Sequence, residues 1–194
     1  MAAVGNSAIT QSDVIQEYRL EAFLDQGRIP GAPPDPAAFD SARTRLVSQE
    51  LLQQEMGAYP ANLKTLRRSA EKQLAAVRKK FKTDADFQAA LHTLGMSEDQ
   101  LLKRLEDQQH VLAMIDERMR PSATVTSEDV QQYYHKTFLP EYQASHPGAP
   151  PPFDQVEDQI QEILVQKKIN ELLDEWLSQM KTEQHVRIIP EPKD

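Results

Sequence analysis

Cysteine is absent from the 194 residues, which excludes disulfides, thiolate metal sites and cysteine nucleophiles. Glycine occurs only 6 times and aromatic residues make up only 6%, too little turn and packing material for a β-sandwich or barrel. No run of 18 apolar residues exists, so no transmembrane helix is expected. The five histidines, His92, His110, His135, His146 and His185, form no HExxH motif and no i,i+4 pair, and no metal site is expected. No nucleophile elbow or phosphate-binding glycine loop occurs, and no carboxylate pair stands out among the 30 acidic residues. The sequence therefore nominates no catalytic residue and no cofactor. The opening, Met1-Ala2-Ala3-Val4, has neither a basic n-region nor an apolar h-region, so no signal peptide is expected in this chain. A cytosolic protein or a mature exported one fits that opening equally.

What is present is mostly helical pattern. Hydrophobic residues at 39% and charged ones at 27% suffice for a core, and the net charge of −8 disfavours a whole-surface nucleic-acid binder. Residues 2–10 read as two very short β segments around a turn at Gly5-Asn6-Ser7. Thr10 and Asp13 open a first helix to about Gln26, and the GRIPGAPP stretch from Gly27 to Pro34 cannot continue it. Asp35-Pro36 restarts a helix that runs to Met56. Leu63, Leu66, Ala70, Leu74, Val77 and Phe81 recur at three- and four-residue spacing, one apolar stripe of an amphipathic helix. Lys82-Thr83-Asp84 breaks that helix, and a short one follows to Gly95. Ser97 to Gln100 is a capping box for a fifth helix ended by Pro121. A brief aromatic helix carries Val130, Tyr133, Tyr134 and Phe138. Residues 144–152 form a Pro/Gly-rich linker, a long helix spans about Phe153 to Lys181, and His185 to Pro190 reads as a strand. The expected fold is mainly α, with short β segments formed by the N- and C-termini, Ala2–Val4 and Ala8–Thr10 pairing with Val186–Ile189.

The order of these pieces resembles a known family. AVGNSAITQSDV is similar to the entry segment of SurA-type periplasmic chaperones. The QEMG helix end (Gln54 to Gly57) resembles the same family, as does the series Phe87, Leu91, Gly95, Ser97 and Leu101. Val125-Thr126 followed by Val130, Tyr133 and Tyr134 continues the resemblance. Leu173, Trp176 and Leu177 followed by His185-Val186-Arg187-Ile188 are similar to the family's C-terminal helix and strand. In that family a parvulin prolyl-isomerase domain usually sits between the Tyr-Tyr helix and the C-terminal helix. Here only Leu139 to Pro152 fills the gap, too short for such a domain. The resemblance implies a SurA N-domain-like array in three parts: a helical region over 1–143, a linker over 144–152, and a helix and strand over 153–194 completing the N-terminal core. It further implies an exported, periplasmic holdase that works without ATP and without isomerase activity. Its partners would be unfolded outer-membrane and other envelope clients, with a domain-swapped homodimer permitted by the long helices.

Two residue sets are candidates for client or partner contact. Met56, Met96, Met114 and Met119 are flexible thioethers suited to a surface that binds many sequences, and equally suited to filling a core. Lys64, Arg67, Arg68, Lys72, Arg78, Lys79, Lys80 and Lys82 oppose only Glu71 over residues 64–82. Such a face is either simply solvated, or it captures acidic client segments or an anionic membrane, with Arg78, Lys79 and Lys80 as its nominated members. Nucleic-acid binding is the alternative function, weakened because no aromatic residue interleaves these bases. Trp176 is read as a core anchor of the terminal helix. Pairs such as Glu98 with Lys103 and Glu117 with Arg120 read as ordinary helix-surface charge.

Overall fold

The computed structural model describes residues 1–189. It is mainly α, 74% helical, with a small antiparallel sheet formed by the termini. The described residues divide into two compact units: 1–114 with 177–189, and Ile115–Trp176. The divisions fall inside the two longest helices, α5 (Glu98–Met119) and α8 (Phe153–Glu183).

The first unit begins with β1 (Ala2–Val4) and β2 (Ser7–Ile9), joined through Gly5 at φ 54°. The sheet order is β2-β1-β3, with β3 at Arg187–Ile188. Ala2 faces Ile9 on one side and Ile188 on the other. The expected union of both terminal ends is therefore present, with one correction: among the described residues the segment at Ser7–Ile9 is an edge strand that pairs with β1 alone. Strands this short leave room for a single central strand, and β1 takes it. Pro190, the last residue of the expected strand, lies outside the described residues.

Local capping sets most helix starts. In α1 (Gln11–Gln26) the Thr10 hydroxyl accepts from the Asp13 amide while the Asp13 carboxylate accepts from the Thr10 amide. Asp35 caps α2 (Pro36–Glu55), with Pro36 in the first turn where its missing N–H is harmless. The sequence pattern predicts this helix to Met56. Instead Met56–Ala58 tighten into a 3-10 turn ahead of Pro60. Asn62 caps α3 (Leu63–Arg78), and Thr83 with Asp86 builds a capping box for α4 (Asp84–Thr93). Ser97 and Gln100 do the same for α5.

The apolar stripe of α3 is buried at Leu66, Ala70, Leu74 and Val77, but Leu63 is 74% exposed because it stands in the first turn. The stripe packs with Leu20 and Phe23 of α1, Phe87 and Leu91 of α4, and Leu101, Leu102 and Leu105 of α5. At its centre Phe23, Phe81 and Phe87 meet with ring centroids 5.2 to 5.9 Å apart, tilted or edge-on as aromatic quadrupoles prefer. Gly27 ends α1 at φ 64°, and a Cβ there would stand 2.7 Å from the Lys80 Cβ. Only glycine allows both that backbone and that approach.

The second unit holds α6 (Ser127–Tyr133), capped by Thr126 and Asp129, then a π-helical turn at Tyr134–Phe138 and α7 (Leu139–Ser145). The aromatic helix thus continues beyond its expected end, and the irregular linker begins at His146 rather than Ala144. Pro140 explains the shape: it cannot donate to a carbonyl four residues back, and the wider turn immediately before it absorbs that mismatch. Val130, Tyr134, Val156 and Ile160 form this unit's core, and the Tyr134 hydroxyl donates to the Pro151 carbonyl at 2.9 Å. Trp176 is half-buried rather than a full core anchor, with the Arg118 guanidinium 4.3 Å over its ring.

Candidate functional site

Helices α1, α2, α3 and α5 of the first unit enclose an open cleft of about 720 Å³. Of these, α1, α3 and α5 pack around the phenylalanine cluster with α4, and the cleft lies between their polar flanks and α2. Leu20, Leu24, Val77, Met96 and Val111 supply its apolar surface. Six glutamines also line it: Gln16, Gln49, Gln53, Gln73, Gln100 and Gln108.

Its charges are largely neutralised in place. Glu17 is buried, at 7% exposure, and pairs with Arg104 across the cleft wall. Gln49 completes that network, its amide donating to Glu17 at 3.1 Å and its carbonyl accepting from Arg104 at 3.2 Å. Glu21 pairs with Arg45, and Asp107 with Lys103. Lys80 donates to the Leu24 and Asp25 carbonyls, at 2.5 and 2.9 Å, satisfying the open C-terminal end of α1.

The glutamine amides are left over. Among the described residues Gln16, Gln53 and Gln108 make no side-chain hydrogen bond, while Gln73 and Gln100 each use only the carbonyl. An amide offers one acceptor and a two-hydrogen donor, the same pair of functions that a peptide unit presents. Such a surface can hydrogen-bond extended backbone whatever the side chains.

The nominated residues scatter. Met96 is half-buried and lines the cleft. Met56 is half-buried in the 3-10 turn and does not line it. Met114 and Met119 are buried, at 1% and 6%, which removes both from the surface. Arg78 pairs with Asp84 and Glu98 and lies 4.8 Å over the Phe87 ring, a structural position. Arg67 is held by Glu71 and Glu106, which raise its pKa further by hydrogen bonding. Lys64, Arg68, Lys72, Lys79 and Lys82 are exposed and, among the described residues, have no ionic partner. The helix-surface pairings also differ from those read locally. Glu98 takes Arg78, and Arg120 takes Asp116 and Glu162.

What the sequence reading missed is the glutamine set and the Glu17–Arg104 wall. The available signal was compositional, since 20 of the 194 residues are glutamine. Among the described residues no group of three metal-ligating side chains exists, and no helix is long and apolar enough to cross a membrane. No family model, no curated protein and no solved structure matches the chain.

Proposed function

We propose that this chain is an exported, periplasmic holdase that binds extended segments of unfolded envelope and outer-membrane proteins, without nucleotide and without prolyl isomerisation. The observation that carries the reading is the cleft. It combines apolar side chains with unspent amide groups and internally paired charges, a chemistry suited to polypeptide main chain of varied sequence. The resemblance to SurA-type chaperones supports the same reading. Binding driven by a few apolar contacts and backbone hydrogen bonds is expected near micromolar, roughly −8 kcal/mol, so exchange needs no energy source.

Suppression of aggregation of an unfolded outer-membrane protein, without nucleotide and at near-stoichiometric ratios, tests the proposal. The triple variant Gln16→Ala, Gln53→Ala, Gln108→Ala should lose most of that protection while keeping its melting temperature. Equal protection by the variant would remove the cleft from the mechanism. Accelerated cis/trans exchange of a proline peptide would contradict the absence of an isomerase.

A second reading rests on the five unpaired cations of the 64–82 segment: a helical adaptor for nucleic acid or an acidic protein. Salt-sensitive binding of a labelled oligonucleotide, with no protection of unfolded clients, would favour it.

A further inference from the structure

We infer that the clients of this cleft are extended segments carrying a run of acidic residues on one side of the bound stretch, recognised by a basic ridge on α3. The inference rests on the holdase reading and specifies its substrate class.

The argument starts from one helix serving two surfaces. With about 100° between successive residues, Lys64, Arg68, Lys72 and Lys79 fall within roughly 80° of one another. Ala76, which lines the cleft, follows roughly 40° beyond Lys72, and Lys80, Gln73 and Val77 continue around the same side. Lys72 and Lys79 therefore border the cleft along α3, and Arg68 and Lys64 continue the same row beyond its lining residues. Inside, Glu17, Glu21 and Asp107 are matched by Arg104, Arg45 and Lys103. Along this row the four cations have no ionic partner among the described residues. A polypeptide lying in the cleft meets no net charge under it and a positive row beside it.

That arrangement fits a protein client better than the other anions. A single-stranded nucleic acid needs aromatic platforms; residues 64–80 contain no aromatic, and Phe81, which follows them, is half-buried in the phenylalanine cluster. A bilayer needs apolar insertion beside the charges, and Leu63 is the one large apolar side chain exposed on α3. Carboxylates on an extended chain need only cations within about a Debye length, roughly 8 Å at physiological salt. Exposed charges of this kind act mainly on encounter rate.

Two peptides decide the matter. They share an apolar, uncharged binding stretch, and one adds four Asp or Glu residues on one flank where the other has Ser. Stopped-flow association with the wild-type chain should be at least about tenfold faster for the acidic peptide at low salt, converging toward the neutral one at high salt. In the variant Lys64→Gln, Arg68→Gln, Lys72→Gln, Lys79→Gln that advantage should vanish while the neutral peptide binds as before. Equal rates for both peptides in the wild type, or an acidic advantage that survives the variant, would overturn the inference and leave the cleft reading standing. Binding of neither peptide would overturn the cleft reading itself. Preferential capture of phosphatidylglycerol vesicles or of an oligonucleotide, lost in the same variant, would also overturn the inference.

Discussion

Replacing Arg104 by Met leaves the Glu17 carboxylate inside the cleft wall with only the Gln49 amide for company, 3.1 Å away. The Glu17 side chain is 8% exposed, so water cannot take over the lost charge partner. Breaking a fully buried pair from one side costs about 3–5 kcal/mol. Arg104 is 37% exposed, which weakens the pair by screening and brings the expected loss to about 2 kcal/mol. For a chain of this size that is a fall in melting temperature of about 4–8 °C. Glu17→Gln alone removes the charge but keeps shape and hydrogen bonding, and should cost about 1 kcal/mol. The informative species is the double variant. If orphaned charge is the cost, Glu17→Gln in the Arg104→Met background should restore stability rather than subtract from it. Urea unfolding of the four proteins, followed by circular dichroism, reads this directly. Additive losses, with the double variant less stable than Arg104→Met, would refute the ion-pair account and make Arg104 a packing residue.

In the second unit, hydrogen bonds from Arg120 and Gln166 hold the Glu162 carboxyl down at about 2. A depressed folded value stabilises above the ordinary carboxylate range and loses that effect as pH falls through about 2. Carboxyl NMR titration should therefore show Glu162 returning to the ordinary range in Arg120→Met, and an unmoved midpoint would discard the pairing. Gly27→Ala forces a side chain into φ 64° against Lys80 and should destabilise by about 1–2 kcal/mol, measured from the denaturant midpoint; wild-type stability would contradict the close approach. Removing residues 186–194 strips β3 from β1 and should lower the melting temperature of the first unit. An unchanged melt would mean the terminal pairing contributes nothing.

What was legible in the sequence was local or periodic. Thr10 with Asp13 and Ser97 with Gln100 are caps because the partners stand three residues apart, a distance that pattern reading covers. The α3 stripe was legible because burial repeats with the helical period; it failed at Leu63, where the first turn lies outside the packed region, and at the other end, where the helix stops at Arg78 and Phe81 packs from the turn beyond rather than from the helix. Thr83 was visible as a break but not as a cap, since Asp84 and Asp86 both follow it. The cleft had no local signature. Gln16, Gln49, Gln73 and Gln108 are brought together from four helices by tertiary packing, so no spacing along the chain relates them. The basic segment split for the same reason. Arg78 and Lys80 found partners on α4, α5 and α1, whereas Lys64, Arg68, Lys72 and Lys79 face outward. The π-helical turn was hidden because its cause, Pro140, lies beyond it.

The terminal sheet has a temporal side. The Met1 carbonyl accepts from the Ile189 amide at 3.0 Å, and the Met1 ammonium meets the Ile189 carbonyl 188 positions along the chain. Until Arg187–Ile188 has reached it, Ala2–Val4 holds only one of its two sheet partners. During that interval one edge of Ala2–Val4 is open while β2 and α2 occupy its other contacts. Closing so large a loop comes late and slowly in folding, because the entropy is spent before any contact rewards it. The central strand of the first unit is thus completed late, and chains lacking β3 should present that bare edge to any extended segment nearby.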